Sequence, residues 1–417
     1  VTTRISSRAA AGIGVCVLGN LIDGFDVLAI AFTAPAIARE WSVSPQLLGA
    51  VFSAGIAGIT LGSLLLAPFA ERVGRRRFAI AATAAMAASM FGCALAAGVG
   101  QLAVLRFVTG LGVGAILPTL NSVAAELAPH GRRNIVLSIF TAAYPLGSVL
   151  GGGLAVLLLE QFGWRSIFIA GAIATAGMAG LQWAWLPGGA ATGDPDRRSS
   201  NLHALARPPL AGSAALLGTA FFFEMLAVFL VLNWTPRLLE QAGLGTQQGV
   251  TTAMVVNLGS LLGGLTYGFL ADRWGWRSTA SAYACGFAAL LVVFGLSVSS
   301  GSIFALAVAL GVFMGGSMTS LYALAPVVFP AATRIGGTGL VIGVGRCGGV
   351  LGPLLAAYGV SAGYGADALY MLAAVAPASA GAAILFLARR PLLDREPAAA
   401  RETPADPCAD GTTTRRM

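Results

Sequence analysis

The chain has no lysine, only two histidines and little charge of either sign: 10% of its 417 residues are charged, against roughly a quarter in an ordinary soluble domain. A soluble fold built round one core is excluded by that balance. All 25 basic side chains are arginines, a usage that points to a GC-rich bacterial genome. Five cysteines give no disulfide framework, because Cys16, Cys93, Cys285 and Cys347 fall in apolar runs and Cys408 in the polar C-terminal stretch. His130 and His203 sit in polar segments, so no metal cluster can be assembled, and no cofactor is expected.

What fills the space is apolar residue, 57% of the chain. It comes in runs of about twenty, each long enough as a helix to cross roughly 30 Å of hydrocarbon. The runs predict helices at 12–38, 46–70, 78–99, 101–127, 135–159, 166–187, 211–233, 248–271, 278–298, 302–327, 337–358 and 366–388. This is an all-α membrane protein of twelve spans. The first run follows Arg4 and Arg8 but is too long for a signal peptide, carries two aspartates and lacks a convincing cleavage site. Twenty of the 25 arginines fall in the N-terminus, the even-numbered loops and the C-terminal tail, while Arg39, Arg165 and Arg237 are the three in the opposite loops. Positive loops stay cytoplasmic, so both termini are expected inside, in a multi-pass protein of the plasma (inner) membrane. The net charge of +8 is then topology and requires no nucleic-acid partner.

Compared with itself at a shift of 201 residues, the chain repeats. Glu71-Arg72-x-Gly74-x-Arg76 overlies Asp272-Arg273-x-Gly275-x-Arg277, and without a gap Pro35 meets Pro236, Gly110 Gly311, Gly114 Gly315, Pro129 Pro330, Arg133 Arg334, Gly147 Gly348 and Gly151 Gly352. A period of this length marks a duplicated structural unit. Six spans per copy is an even number, so both copies run the same way through the membrane, with a solute site expected at the midplane between them. The expected divisions are a first bundle at 1–187, a linker at 188–209, a second bundle at 210–388 and a disordered tail at 389–417.

Ala67-x-x-x-Glu71-Arg72-x-Gly74-Arg75-Arg76 resembles the G-x-x-x-D-R-x-G-R-R signature of the major facilitator superfamily, and Gly268-x-x-x-Asp272-Arg273-x-Gly275-x-Arg277 resembles it again. Arg106-x-x-x-Gly110-x-Gly112-x-Gly114 matches a second superfamily motif. Within that superfamily the chain looks most like the aromatic acid:proton symporter family. The residues carrying this are Asp23-Gly24-Phe25-Asp26, Glu126-x-x-Pro129-x-x-Arg132-Arg133, Asn233-Trp234-x-Pro236 and Gly345-Arg346-x-Gly348-x-x-x-Gly352-Pro353. The resemblance implies uptake of benzoate-like acids driven by protons, although relatives with other organic-acid substrates share the pattern.

An ionisable side chain at a helix centre costs roughly 2.5 to 3.5 kcal/mol on insertion scales, which makes each one a functional candidate. Asp23 and Asp26, three apart, are expected on one face of the first span. Out of water, such close carboxylates compete for charge, and one is expected to hold a proton; the alternative is that Asp23-Gly24 breaks the helix. Glu224 stands at the repeat position of Asp23, with an internal pair to Arg346 as the alternative. Arg106 needs an anionic neighbour or water, and if that neighbour is Asp26, protonation would loosen the pair; a permanent structural pair is the other reading. Arg346 lies near the centre of the eleventh span, where the first copy has Pro145. A fixed guanidinium there suits bidentate capture of a substrate carboxylate, against a structural salt bridge.

Phe25, Tyr144 and Tyr322 are candidates to stack on a substrate ring. The basic signature loops, with Glu71, Arg72, Arg75, Arg76, Glu126, Arg132, Arg133, Asp272, Arg273 and Arg277, are expected to form a cytoplasmic gate that closes one access state. The expected partners are a small organic acid, protons and the lipid bilayer, with the chain as a monomer. An efflux antiporter of the same fold is a rival, but its Gly-Pro pair in the fifth span is missing from Gly147-Ser-Val-Leu-Gly151-Gly152. A non-transporting sensor or an intramembrane enzyme finds no support, since no spacing for a hydrolytic or metal site stands out.

Overall fold

The structure, a computed structural model, describes residues 7–67, 69–129, 133–187, 210–298, 303–330 and 333–388. Twelve helices in it are long and apolar enough to cross a membrane. They are α1 (Ser7–Glu40), α2 (Pro45–Leu66), α3 (Arg75–Ala94), α4 (Val99–Leu127), α5 (Arg133–Phe162), α6 (Arg165–Trp185), α7 (Leu210–Gln241), α8 (Thr246–Trp274), α9 (Trp276–Leu296), α10 (Ile303–Val328), α11 (Arg334–Ser361) and α12 (Ala366–Leu387). The expected linker 188–209 and the tail from 389, with Arg132 and both histidines, lie outside the described residues.

Several helices outrun the hydropathy reading, because hydropathy marks the hydrocarbon slab while a helix continues into the interface. α7 does not stop at residue 233 but passes through Pro236 to Gln241. Neighbouring hydroxyls and helices make an internal proline tolerable in a membrane; here the Thr235 hydroxyl donates to the Val231 carbonyl at 2.6 Å. α2 ends in a wider π-type turn over Gly62–Leu66, and a short helix at Phe69–Val73 carries Glu71 and Arg72. Asp272 and Arg273 are not loop residues but the last turn of α8, where a cation complements the helix dipole. Gly74 and Gly275 then turn the chain at φ 97° and 83°, a left-handed conformation that costs glycine nothing.

The duplication seen in the sequence is a duplication of packing. In the first half α1 packs on α5, α2 on α4 and α3 on α6; in the second α7 packs on α11, α8 on α10 and α9 on α12. The crossings are set by glycines so close to a facing carbonyl that a Cβ would clash with main chain. Gly58 faces the Phe107 carbonyl, Gly62 that of Leu111, Gly110 that of Gly55 and Gly114 that of Ile59. Shifted by 201 residues, the same sentence describes the second half: Gly259 faces Val308, Gly263 Val312, Gly311 Val256 and Gly315 Ser260. Likewise Gly147 of α5 rests on Leu21 of α1, and Gly348 of α11 on Phe222 of α7. Without a hydrophobic drive between helices in lipid, close approach of small residues is what holds them together.

Gly147→Ala and Gly348→Ala should therefore each destabilise the fold by about 1–3 kcal/mol or more, as overpacking does. Gly177→Ala, where a Cβ meets nothing within 4 Å, is the control. Thermal unfolding in detergent reads the difference, and equal melting of all three would remove the packing argument.

Between the halves α2 packs on α11, α5 on α8 and α1 on α7. The contacts gather at the end of the bundle that carries Arg39. There Arg39 pairs with Glu240 at 3.4 Å and donates to Thr246 at 3.2 Å. Deeper in, the Phe52 and Trp234 rings meet edge to face at 5.6 Å and the Ser53 hydroxyl donates to the Val350 carbonyl at 2.6 Å. Toward the other end the halves part. Along the first half of α1 the exposed residues Ser7, Ala10, Gly14 and Leu18 recur at helical spacing, then give way to near-continuous burial from Ile22 to Ala38. In α7 the exposed residues Ala215 and Thr219 stand at the repeat positions of Gly14 and Leu18, and burial again closes over beyond Phe223. A vestibule thus opens on the face that holds the signature turns and ends near the middle of the bundle.

Candidate functional site

At the head of that vestibule the charged side chains of both halves meet. α1 supplies Asp23 and Asp26, each at most 3% exposed. Residues three apart on a helix are offset by about 60°, and the structure uses that offset. Asp26 turns back into the first half, where the Thr175 hydroxyl of α6 donates to its Oδ2 at 3.1 Å while Oδ1 has no partner. Asp23 is close enough to Tyr144 of α5 for its charge to act on the phenol. The two carboxyls stay close enough for the charge of Asp26 to act on Asp23, as residues on one helix face do. α1 does not break here: Gly24 allows it to lie against the Tyr144 backbone, which is why a glycine sits between acids.

Arg106 of α4 is 3% exposed and held on three sides. Its Nη1 donates to the main-chain carbonyl of Asp26 at 3.0 Å, its Nη2 lies 2.9 Å from the Met90 sulfur, and its guanidinium lies 5.4 Å from the centre of the Phe168 ring. Nε has no partner. The arginine is anchored to the backbone of Asp26 and not bonded to its carboxylate, so the expected ion pair is replaced by a near neighbourhood in which the carboxyl can change charge without releasing the arginine. Around it Thr109 donates to Ser89 at 3.1 Å and Ser89 to the Leu105 carbonyl at 2.6 Å, tying α3 to α4.

From the second half, Arg346 of α11 comes half-buried to the same level. Its charge reaches Tyr144 of the first half and Tyr322 of α10. Tyr322 is 41% exposed and its ring packs edge to face on Phe221 at 5.3 Å. An accessible guanidinium flanked by two phenols suits a planar anion, since carboxylates take Arg in a fork and rings pack on aromatic side chains. Glu224 is fully buried with neither oxygen hydrogen-bonded; Ser317 of α10 is beside it, and no pair with Arg346 forms among the described residues.

Phe25 does not join this group. It is 7% exposed, and its ring fills the notch left by Gly151 of α5 and Gly171 of α6 inside the first half, so the substrate contact expected of it is replaced by packing. The signature residues are spread over the vestibule mouth. Arg75 pairs with Glu126 and Arg76 donates to the Trp183 carbonyl, both within the first half. Arg72 lies over Phe69 and Arg277 over Trp276, each 5.4 Å from the ring centre, while Arg133, Asp272 and Arg273 are exposed.

Sequence reading missed the neighbours that build the site: Thr175, Met90 and Phe168 around Asp26 and Arg106, and Glu240 opposite Arg39. No motif marks the first three, which are ordinary residues of apolar helices. The last pair is visible only as two charges in loops 201 residues apart.

Comparison with known proteins places the geometry. The family described as Major Facilitator Superfamily matches residues 16–280 and 252–413. A gallate transporter of Pseudomonas putida is 30% identical over 89% of this chain and 90% of its own length. A 3-(3-hydroxy-phenyl)propionate transporter of Escherichia coli is 30% identical over 97% of this chain and 98% of its own. Among solved structures, the inward open conformation of the xylose transporter XylE from E. coli superposes with a TM-score of 0.74 at 16% identity, over 91% of this chain and 96% of that one.

Proposed function

The chain belongs to the Major Facilitator Superfamily, and we propose that it imports a small aromatic acid together with protons by alternating access. It is an integral multi-pass membrane transporter and not an enzyme. The observation that carries the proposal is the meeting of Arg346 and Tyr322 from one half with Tyr144 and Asp23 from the other at the head of the vestibule.

In this reading the substrate carboxylate takes the fork of Arg346 and its ring lies between the two tyrosines. An ionised Asp23 beside the same tyrosine would repel that anion, because like charges a few ångströms apart in a medium of low dielectric cost several kcal/mol. A proton on the α1 carboxylates removes the repulsion, so acid and proton load together. Asp26, buried with one oxygen unmet, has its own reason to take a proton, since an unpaired charge away from water is costly. The vestibule face, with the arginine-rich signature turns, is cytoplasmic. The structure then corresponds to the inward-facing state, with the Arg39–Glu240 end closed toward the outside. Glu224 is a third proton-binding candidate, placed in the second half.

The test is transport by the purified chain in liposomes, with gallate, hydroxybenzoates, phenylpropionates, benzoate and non-aromatic acids offered outside. An inward proton gradient should drive saturable uptake of at least one aromatic acid, acidify the lumen as it enters, and lose its effect with a protonophore. Accumulation of non-aromatic acids alone, or release of the acid against an inward proton flux, would refute the reading; the second result is what an efflux antiporter gives.

A further inference from the structure

We propose that Arg39 and Glu240 form a releasable latch that biases the transporter toward the state in which the signature face is open, with Arg39 as the part that lets go. This rests on the reading of alternating access given above, with the Arg39 end toward the outside. The two residues are 201 apart and so occupy the same position of the duplicated unit, each four residues beyond the proline that the copies share, Pro35 and Pro236. Where two copies face each other across a twofold axis, equivalent positions meet on that axis. Here one copy carries the cation and the other the anion, so a contact between equivalent positions is an attraction.

Each side of the latch is built within its own half. Glu240 Oε2 accepts from Arg237 of the same helix at 2.6 Å, and Oε1 accepts from the Thr246 hydroxyl at the start of α8 at 3.0 Å. Arg39 reaches this assembly from the other half, with Nη1 3.4 Å from Oε1 and Nη2 donating to Thr246 at 3.2 Å. A hydroxyl has one proton to give and lone pairs that accept, so Thr246 takes from Arg39 and gives to Glu240 at once. Behind Arg39 the end of α1 is tied to α6. Glu40 accepts from Arg165 and from the Trp164 indole, each at 2.7 Å, and the Arg165 guanidinium lies 4.4 Å from the centre of the Trp164 ring.

Such an arrangement parts easily. The Glu240 side chain is 14% exposed and that of Arg39 60%. When the outer end opens, Glu240 keeps Arg237 and Thr246, and Arg39 exchanges its partners for water. No buried charge is stranded, and stranding is what makes a salt bridge hard to break. An exposed pair of this kind shifts an equilibrium only about 1.4- to fivefold. A bias of that size suits a carrier that must open at this end in every cycle. The Arg237 bond, though shorter, joins two residues of one helix; it holds the anion in place and favours neither state.

The test reads the outer end without any acid. In a background with the native cysteines replaced, Ser53→Cys places a thiol at a residue that is 5% exposed and whose native hydroxyl donates to the Val350 carbonyl of the other half. A dilute membrane-impermeant maleimide reaches that thiol when the outer end parts, and slow labelling tracks the fraction of time the end is open. In right-side-out vesicles Arg39→Gln and Glu240→Gln should each raise the labelling rate by about 1.4- to fivefold. Their combination should fall short of the product of the two, Arg39→Lys should stay nearer to the intact latch, and Arg237→Gln should give no acceleration. From about 10 mM to about 1 M salt the screening length falls from about 30 Å to about 3 Å, and over that range the ratio of Arg39→Gln to the intact latch should shrink toward one. An unchanged rate in Arg39→Gln overturns the proposal. So do multiplying effects of the two glutamine substitutions, an acceleration by Arg237→Gln equal to that by Arg39→Gln, and a thiol that is labelled in no background. Inverted vesicles are run in parallel, so an error in orientation appears as labelling from the wrong face while the comparison of rates still decides the latch. Failure of the substrate reading appears only in the liposome assay.

Discussion

Asp26→Asn should exchange labelled acid across liposomes at near wild-type rates and yet fail to accumulate it. The substitution keeps the shape and an oxygen for the Thr175 hydroxyl, which donates to Asp26 at 3.1 Å, and it leaves the main-chain carbonyl that anchors Arg106 untouched. What it removes is the ability to take and release a proton. A gradient of one pH unit is worth about 1.4 kcal/mol per proton, or tenfold in accumulation. With an inward gradient of two units, a one-proton symporter can reach about a hundredfold, and the variant should stay near unity. Wild-type accumulation by Asp26→Asn would move proton coupling elsewhere, to Asp23 or Glu224.

Arg346→Ala should weaken binding of the acid that the wild-type chain carries by about ten- to a hundredfold, the equivalent of the roughly 1.5–3 kcal/mol of a charge-assisted hydrogen bond. The half-buried position of Arg346 argues for the upper part of that range, since water competes less there than at a free surface. Arg346→Lys should fall between, because an ammonium keeps the charge but loses the planar fork. Equilibrium binding to the detergent-purified protein measures this without any gradient. Unchanged affinity in Arg346→Ala would sink the assignment, and the tyrosines would lose their rationale with it.

Much of the architecture was legible because lipid leaves few options. Apolar runs give spans, and the shift of 201 residues gives the duplicated packing down to individual glycine and carbonyl pairs. The rare intramembrane charges were legible for the same reason, and Asp23, Asp26, Arg106 and Arg346 do converge near the junction of the halves. What sequence could not supply is direction. Spacing put Asp23 and Asp26 on one face, but it did not say that Thr175 of α6 meets Asp26 while Tyr144 of α5 stands near Asp23. Arg106 was expected to need an anionic neighbour or water; besides the nearby Asp26, a backbone carbonyl, a thioether and a ring serve it, none of which carries a sequence mark. Phe25 between two acids looked like a ligand contact until Gly151 and Gly171 proved to be shaped for it. The signature residues were expected to form a gate, and a sequence does not say which access state will be occupied.

The glycine crossings that repeat without insertion or deletion have one more implication. Two copies held to the same skeleton are free to diverge in what they carry. Where the first copy has Asp26 and Arg106, the second has Ala227 and Ala307, both sealed from solvent, and where the second has Arg346 the first has Pro145. In the mechanism proposed above, the first copy contributes the α1 carboxylates and the second the Arg346 fork, so proton and acid bind to different arms of one rocker.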